Sequence, residues 1–328
     1  MNNPADRAQQ WLRRISWQLL FGMAACVSPA LAGAAAPAIR DVAEAGASFR
    51  CDQVTRAGDH VVTIETSLAG VPAVLRVPRH VSRPPIVLWH GFGPPASARA
   101  LMEALPLDRV PAIKVYLDLP LFGARAPAGG NKELVRRQSQ DFAMLLFKPT
   151  VVGAADELPS VVAALERHGC MARGQRIGLF GFSAGGAAAL VALIQGKVAV
   201  SAAVLVNAST GLQASVAALH RAMKQPYAWT PASRALAYDT DAVRHAAAIA
   251  RGNPPTALLI VQGNSDTVLT SEPARALHAV LLPYYHAARS DARLGFVLVP
   301  GMTHNWVDSR TSTARLRRET ATWFVRYQ

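Results

Sequence analysis

The sequence predicts an α/β protein whose mostly parallel central sheet is covered by helices on both faces. The 328-residue chain is 51% hydrophobic and 17% charged, which is a globular composition with enough apolar residues to fill a large core. The strand-like segments are almost wholly apolar, as is typical of strands buried on both faces. They alternate with helical segments, and this alternation favours parallel connections between strands.

The predicted elements follow one another in the order that such a sheet needs. Two β-rich runs within residues 61–78 are broken at Ala69-Gly70, which predicts an antiparallel pair. The segment 84–93 is predicted to be a short strand that runs into a glycine loop. Further strands are predicted at 112–120, 176–183, 198–209, 256–266 and 296–301, and helices at 156–169, 184–196, 272–288 and 311–327.

One segment, about 207–253, interrupts the alternation. It contains Pro226, Tyr227, Trp229 and Pro231, and a helix is predicted near 241–251. We interpret this segment as a small cap insertion over the sheet. Since no repeat or linker divides the rest, we expect one catalytic domain at residues 33–328.

The first residues are typical of a signal peptide. Arg13-Arg14 precede an uncharged apolar run at 15–27, and Ala30-Leu31-Ala32 fits a small-residue cleavage motif. We therefore predict a signal peptide at 1–32 and a periplasmic or secreted protein. No later segment offers a long uncharged apolar stretch, so we expect no stable membrane span.

The cysteines leave two questions open. Cys26 would be removed with the signal peptide, although a poor lipoprotein motif around it leaves lipid anchoring at Cys26 as an alternative. Cys51 and Cys170 would remain, and an oxidising compartment would let them form an intramolecular disulfide. Two isolated thiols are the alternative.

The chain is basic, with 34 Lys+Arg against 21 Asp+Glu and a net charge of +13. A basic protein raises the question of a nucleic-acid partner. The basic residues are scattered, however, and no stripe of Lys and Arg is interleaved with aromatic residues. We therefore expect no nucleic-acid binding.

The segment Gly181-Phe182-Ser183-Ala184-Gly185 spells G-x-S-x-G between a predicted strand and a predicted helix. This context is the one in which a sharp turn exposes a nucleophilic serine. A helix-capping serine is the alternative for Ser183, but that reading leaves the downstream residues unexplained.

A serine hydroxyl needs a base, and the base needs a third group that orients it. Asp266 follows one predicted strand and His304 follows the next, in the order Ser, Asp, His. Asp239, Asp241 and Asp308 are rival acids. For the oxyanion hole, we predict the backbone N–H groups of Phe92, in the loop His90-Gly91-Phe92-Gly93, and of Ala184.

In these motifs the chain resembles the serine hydrolases of the α/β-hydrolase fold, in the esterase and dienelactone-hydrolase-like branch that borders the prolyl-oligopeptidase-type peptidases. It departs from dienelactone hydrolases in having serine where they have cysteine. The resemblance implies cleavage of a small-molecule carboxylic ester through an acyl-enzyme. An amide or lactone substrate is the first alternative, and a non-catalytic binding protein on this fold is the second.

Two other classes of site find no support in the sequence. A dinucleotide loop at the glycines of 178–186 would require an acidic residue about 20 positions later. No Asp or Glu occurs between Gly186 and Asp239. Metal-binding and phosphate-loop motifs are absent from the sequence, so we expect neither a cofactor nor a metal.

Overall fold

Eight strands form a single sheet in the structure, a computed structural model that describes residues 49–57 and 61–328. The predicted signal peptide and Cys26 lie outside these residues. The strands are β1 Val62–Leu68, β2 Val71–Val77, β3 Arg83–Trp89, β4 Ala112–Leu117, β5 Ile177–Phe182, β6 Val200–Val206, β7 Ala257–Gly263 and β8 Leu294–Val299.

The strand order is β1-β2-β4-β3-β5-β6-β7-β8. β2 runs antiparallel to both β1 and β4, and the remaining pairs are parallel. The antiparallel pair and the mostly parallel sheet predicted from the sequence are therefore confirmed. As a consequence, the carboxyl ends of β3 and β5 through β8 lie along one edge of the sheet.

The connections between strands contain most of the helices. The α-helices of the described residues are α1 Cys51–Ala57, α2 Ala98–Ala104, α3 Gly130–Asp141, α4 Gly153–Arg167, α5 Ala184–Gln195, α6 Leu212–Met223, α7 Pro231–Asp239, α8 Ala246–Ile249, α9 Ser271–Ala287 and α10 Arg310–Tyr327. A π-helix, Phe142–Val152, joins α3 to α4, and short 3₁₀ turns lie at Gly123–Arg125, Asp291–Arg293 and Trp306–Asp308.

The sequence pattern predicted only the last part of the helical run between 130 and 167. The wide turns of the π-helix include Pro149, which has no backbone N–H to continue an α-helix. This interruption, and the polar character of α3, obscure the helical periodicity there.

Alternate residues of the central strands enter two separate hydrophobic clusters. On β5, for example, Leu179 belongs to one cluster and Phe180 to the other. Helices α2 and α10 contribute Leu101 and Phe324 to the second cluster, whereas α3 to α6 and α9 contribute to the first. The sheet is therefore covered on both faces, as predicted.

The segment 207–253 contains α6, α7 and α8 between β6 and β7. Its expected helix near 241–251 is restricted to Ala246–Ile249. Helices α6 and α7 pack against the π-helix, and the Tyr227 hydroxyl donates a hydrogen bond to Asp141 over 2.5 Å. The segment is thus anchored on one side of the sheet, and its role as a cap stays a prediction.

Cys51 and Cys170 form a disulfide with an S–S distance of 2.05 Å, so the predicted pairing is confirmed. The bond joins α1 to the loop after α4 across 119 residues of sequence. Disulfides persist mainly in oxidising compartments, which fits an extracellular or periplasmic protein. Within the described ranges, no helix is both long and apolar enough to cross a membrane.

Lys114 on β4 is fully buried, and its ammonium group donates a hydrogen bond to the Val110 carbonyl over 3.2 Å. Burial lowers the pKa of Lys114 to about 8, with Asp108 opposing and Arg76 reinforcing the change. Between about pH 8 and the ordinary lysine pKa of 10.5, the unfolded chain binds more protons at this group than the folded chain does.

We therefore expect the free energy of unfolding of the wild type to rise with pH over this window, by about 3 kcal/mol relative to Lys114→Met. Urea denaturation of both proteins from pH 7 to 10.5 measures the difference. Lys132→Met, which removes an exposed lysine, serves as the control and should show no such rise. Parallel curves for the wild type and Lys114→Met would contradict the expectation.

Candidate active site

Ser183 occupies the turn between β5 and α5 and is 8% exposed. Its φ of 54° and ψ of −115° place a non-glycine residue in a conformation that sterics disfavour. Two backbone hydrogen bonds hold it there: its N–H donates to the Val206 carbonyl over 3.0 Å, and its carbonyl accepts from the Ser209 N–H over 3.2 Å. The surrounding strands and loops therefore enforce the strained turn.

The two glycines of the motif are required by close backbone contacts. A Cβ atom at Gly181 would lie 2.3 Å from the Gly185 carbonyl oxygen. A Cβ atom at Gly185 would lie 2.3 Å from the His90 carbonyl oxygen and 2.5 Å from that of Trp89. Real Cβ contacts are essentially never this short, so β3, β5 and α5 can approach as they do only because both side chains are absent.

A chain of hydrogen bonds connects Ser183, His304 and Asp266. The His304 Nε2 atom lies 3.0 Å from Ser183 Oγ, and its Nδ1 atom lies 2.8 Å from Asp266 Oδ2. An ionised carboxylate only accepts hydrogen bonds, so Nδ1 carries the proton and donates it to Asp266. Nε2 is then left with a lone pair that accepts from the serine hydroxyl.

Asp266 is held in place by the loop that follows β7. Its Oδ1 atom accepts hydrogen bonds from the N–H groups of Val268 and Leu269 over 2.9 and 2.8 Å. Its side chain is fully buried. Of the acids considered from the sequence, Asp266 is the one that contacts His304; Asp241 instead accepts from the Val243 N–H over 3.0 Å.

His90 shapes the loop at 90–93. The imidazole is fully buried; its Nδ1 lies 2.7 Å from the Gly91 carbonyl oxygen, and its Nε2 accepts from the Leu119 N–H over 3.1 Å. Both contacts are satisfied by a neutral ring, which agrees with the lowering of the His90 pKa by burial. Asp118 fixes the neighbouring turns by accepting from the N–H groups of Ala98 and Ala124.

This loop lies directly beside the nucleophile turn. A Cβ atom at Gly91 would lie 2.9 Å from the Ser183 Cβ atom. Phe92 follows Gly91, and its ring stacks on Phe122 with centroids 4.9 Å apart. Ala184 begins helix α5, whose first backbone N–H groups have no partner within the helix. The loop that carries Phe92 therefore lies beside Ser183, and Ala184 follows Ser183 directly. Their role as oxyanion donors stays a prediction.

Two polar residues of this region were missed in the sequence. Asn207 bonds to the backbone of the His304 loop, and Asp118 orders the turns after β4. Each lies at the carboxyl end of a predicted strand. Because ligands and reacting groups of α/β sheets gather at those ends, their position was the available signal.

Other features of the described residues lie apart from this site. A groove of about 630 Å³ runs between residues 106–109 and α10, is bordered by several arginines, and shares no residue with the site. Within the same described ranges, no three His, Cys, Asp or Glu side chains are grouped so that they could hold a metal ion.

The sheet order, the serine turn and the neighbouring histidine define a serine hydrolase of the α/β-hydrolase fold. The sequence profile of the prolyl oligopeptidase family matches residues 138–328, which is more than half of the chain. The chain therefore belongs to the prolyl oligopeptidase family. No individual curated protein sequence matches it.

Solved structures share this fold at low sequence identity. TT1662 from Thermus thermophilus is 20% identical with a TM-score of 0.60, over 81% of this chain and 98% of its own. A puromycin-hydrolysing peptidase from Mycobacterium tuberculosis is 16% identical with a TM-score of 0.56, over 81% of this chain and 39% of its own. Carboxyl esterase 2 from the fungus Tuber melanosporum is 17% identical with a TM-score of 0.54, over 96% of both chains.

The close contact at Gly185 yields a prediction about stability. We expect Gly185→Ala to lower the free energy of unfolding by about 1–3 kcal/mol or more, because its Cβ would meet backbone atoms that cannot move aside. Gly93→Ala is the matched control, since the nearest atom to its Cβ would be Asn305 Oδ1 at 3.8 Å. Urea denaturation measures both, and equal values for the two variants would refute the steric argument.

Proposed function

We propose that the protein is a serine hydrolase that cleaves carboxylic esters, with Ser183 as nucleophile, His304 as general base and Asp266 as the acid that orients it. The observation that carries this proposal is the continuous hydrogen-bonded chain from Ser183 Oγ through His304 to Asp266, with links of 3.0 and 2.8 Å. Such a chain makes a weak nucleophile reactive, since the proton has an acceptor already in place.

In the first half of the reaction, Ser183 Oγ attacks the acyl carbon while its proton moves to His304 Nε2. Asp266 stabilises the resulting imidazolium through the bond at Nδ1. The backbone N–H groups of Phe92 and Ala184 stabilise the negative charge on the former carbonyl oxygen. Losing one such donor costs about 3–4 kcal/mol of transition-state stabilisation in enzymes of this type. The N-terminus of α5 adds favourable electrostatics for an anion.

Collapse of the tetrahedral intermediate breaks the acyl–oxygen bond, and the imidazolium gives its proton to the departing alkoxide. A water molecule then takes the place of the alcohol. His304 removes a proton from that water, the resulting hydroxide attacks the acyl-enzyme, and the acid is released as Ser183 recovers its proton. This sequence balances without a cofactor.

An ester is our first choice of substrate because an alkoxide leaves more readily than the nitrogen anion of an amide, so ester cleavage depends less on a precisely placed proton donor. The carboxyl esterase from Tuber melanosporum supports this choice, since the alignment spans 96% of both chains. The puromycin-hydrolysing peptidase is a longer protein, and this chain spans only 39% of its length.

Amide hydrolysis by the same residues is the second candidate. Membership of the prolyl oligopeptidase family favours it, as does the fold shared with the puromycin-hydrolysing peptidase. An amide substrate requires the imidazolium to protonate the leaving nitrogen before the bond breaks. A comparison of ester and amide turnover therefore separates the two candidates.

We further propose that residues 1–32 are a signal peptide, that 33–328 form the catalytic domain, and that about 207–253 form a small cap over the sheet. The Cys51–Cys170 disulfide supports export to an oxidising compartment. The cap proposal is supported by the hydrogen bond from the Ser209 N–H to the Ser183 carbonyl, because it attaches the start of the segment to the nucleophile turn.

Replacing the nucleophile tests the proposed chemistry. We expect Ser183→Ala to reduce kcat on p-nitrophenyl acetate by at least about 10⁴-fold, because the variant lacks the oxygen that forms the acyl-enzyme. Ser139→Ala, at an exposed serine of α3, is the control and should retain wild-type activity. Equal kcat values for the wild type and Ser183→Ala would show that Ser183 is not the nucleophile.

The substrate class is tested by assaying p-nitrophenyl esters from acetate to decanoate beside p-nitroanilides, with a fluorophosphonate probe for the reactive serine. We expect ester turnover and labelling that is lost in Ser183→Ala. Faster anilide than ester turnover would favour the amide candidate. A wild type that neither turns over substrate nor accepts the probe would support a non-catalytic protein.

Export is tested by the mature N-terminus. After expression in a bacterium, we expect intact-mass measurement of the periplasmic protein to place Gly33 first, because cleavage should follow Ala32. A mature chain that begins at Cys26 with a lipid mass would support the anchored alternative. A cytoplasmic protein that retains Met1 would contradict export.

A further inference from the structure

Asn207 lies where the three proposed catalytic loops meet. It follows the last residue of β6, is fully buried, and has a φ of 42°. Asparagine adopts positive φ more readily than most side chains. Its own N–H donates to the Val261 carbonyl of β7 over 3.0 Å, so its backbone continues the β6–β7 pairing beyond the end of the strand.

The side-chain amide bridges the acid loop and the base loop. Its Oδ1 atom accepts a hydrogen bond from the Gly263 N–H over 2.8 Å, three residues before Asp266. Its Nδ2 group donates to the carbonyl oxygens of Thr303 and His304 over 2.9 and 3.2 Å. The backbone of the proposed base is therefore bonded directly to this side chain.

The partners determine which way the amide faces. Gly263 presents an N–H and requires an acceptor, whereas Thr303 and His304 present carbonyls and require donors. A carboxylate would satisfy only the first, and an aliphatic side chain would satisfy none. Asparagine is thus matched to all three partners, and a buried amide with all of them satisfied is held rigidly.

The two loops joined by Asn207 are also packed closely. A Cβ atom at Gly263 would lie 2.1 Å from the Met302 carbonyl oxygen, and the Ser265 N–H donates to that same oxygen over 3.1 Å. The distance between Asp266 and His304 therefore depends on contacts between main chains, and Asn207 adds side-chain bonds to the carbonyls of Thr303 and His304.

We propose that Asn207 is a positioning residue that fixes the backbone position of His304 relative to Ser183 and Asp266. This inference rests on the proposed function. Asn207 touches none of the reacting atoms; it acts by holding the His304 backbone, so its loss should impair the chemical step more than substrate binding.

The test compares Asn207→Gly, which keeps the positive φ and removes the amide, with Asn207→Asp, which keeps the shape and removes the two donors. For both we expect kcat on the best ester to fall by about 10–100-fold, as small misplacements of catalytic groups do, with KM within about twofold. The rate of fluorophosphonate labelling of Ser183 should fall in parallel.

Val204→Ala is the control, since Val204 is a fully buried residue in the middle of the same strand. It should lower the melting temperature and leave kcat near that of the wild type. The inference is overturned if Asn207→Gly keeps its kcat within about twofold of the wild type, or if Val204→Ala loses kcat to the same extent at equal stability.

Failure of the proposed function is distinguishable from failure of this inference. If the proposed function is wrong, the wild type itself is neither active nor labelled, and the inference about Asn207 is then wrong as well. If only the inference is wrong, the wild type is active and loses labelling in Ser183→Ala, while the Asn207 variants remain as active as the wild type.

Discussion

The architecture of the site depends on a steric constraint: β3, β5 and α5 approach so closely at the serine turn that no side chain fits between them. The absent Cβ atoms of Gly181 and Gly185 permit this approach, and the Gly91 backbone then lies against Ser183. The turn places Ser183 between the end of β5 and the first residue of α5, where the first helical N–H groups have no partner within the helix. The strain at Ser183 is tolerated because the backbone bonds to Val206 and Ser209 hold it on both sides.

The parallel arrangement of the strands brings Asp266 and His304 to the same edge of the sheet as Ser183. Strands β5, β6, β7 and β8 are neighbours in the sheet, so the loops that carry Ser183, Asp266 and His304 emerge side by side although the residues are far apart in sequence. Buried polar contacts then set the final distances. His90 orders the loop before Phe92, and Asn207 links the ends of β6 and β7 to the His304 loop. Hydrogen bonds of this kind are strong determinants of geometry because a buried group left without its partner is costly.

Membership of the prolyl oligopeptidase family supports serine hydrolase chemistry, and the solved structures share the fold. Whether the leaving group is an alcohol or an amine depends on the surfaces around the nucleophile. We propose that the segment between β6 and β7 shapes those surfaces, because Ser209 near its start bonds to the nucleophile turn and Tyr227 bonds to Asp141, the last residue before the π-helix.

Much of this protein could be predicted from the sequence, because the periodicity of apolar residues and the turn motifs are local. These patterns predicted the antiparallel pair, the parallel sheet and its two covered faces, and they picked out Ser183, Asp266 and His304 at the ends of strands. The pairing of Cys51 with Cys170 was only one of two alternatives, since a disulfide depends on distance in space. The tertiary structure separated Asp266 from the rival carboxylates, and it alone showed which backbone contacts exclude a side chain at Gly185 and which loops Asn207 connects. Each of these depends on contacts between segments that the strand order brings together, and no local pattern contains that order.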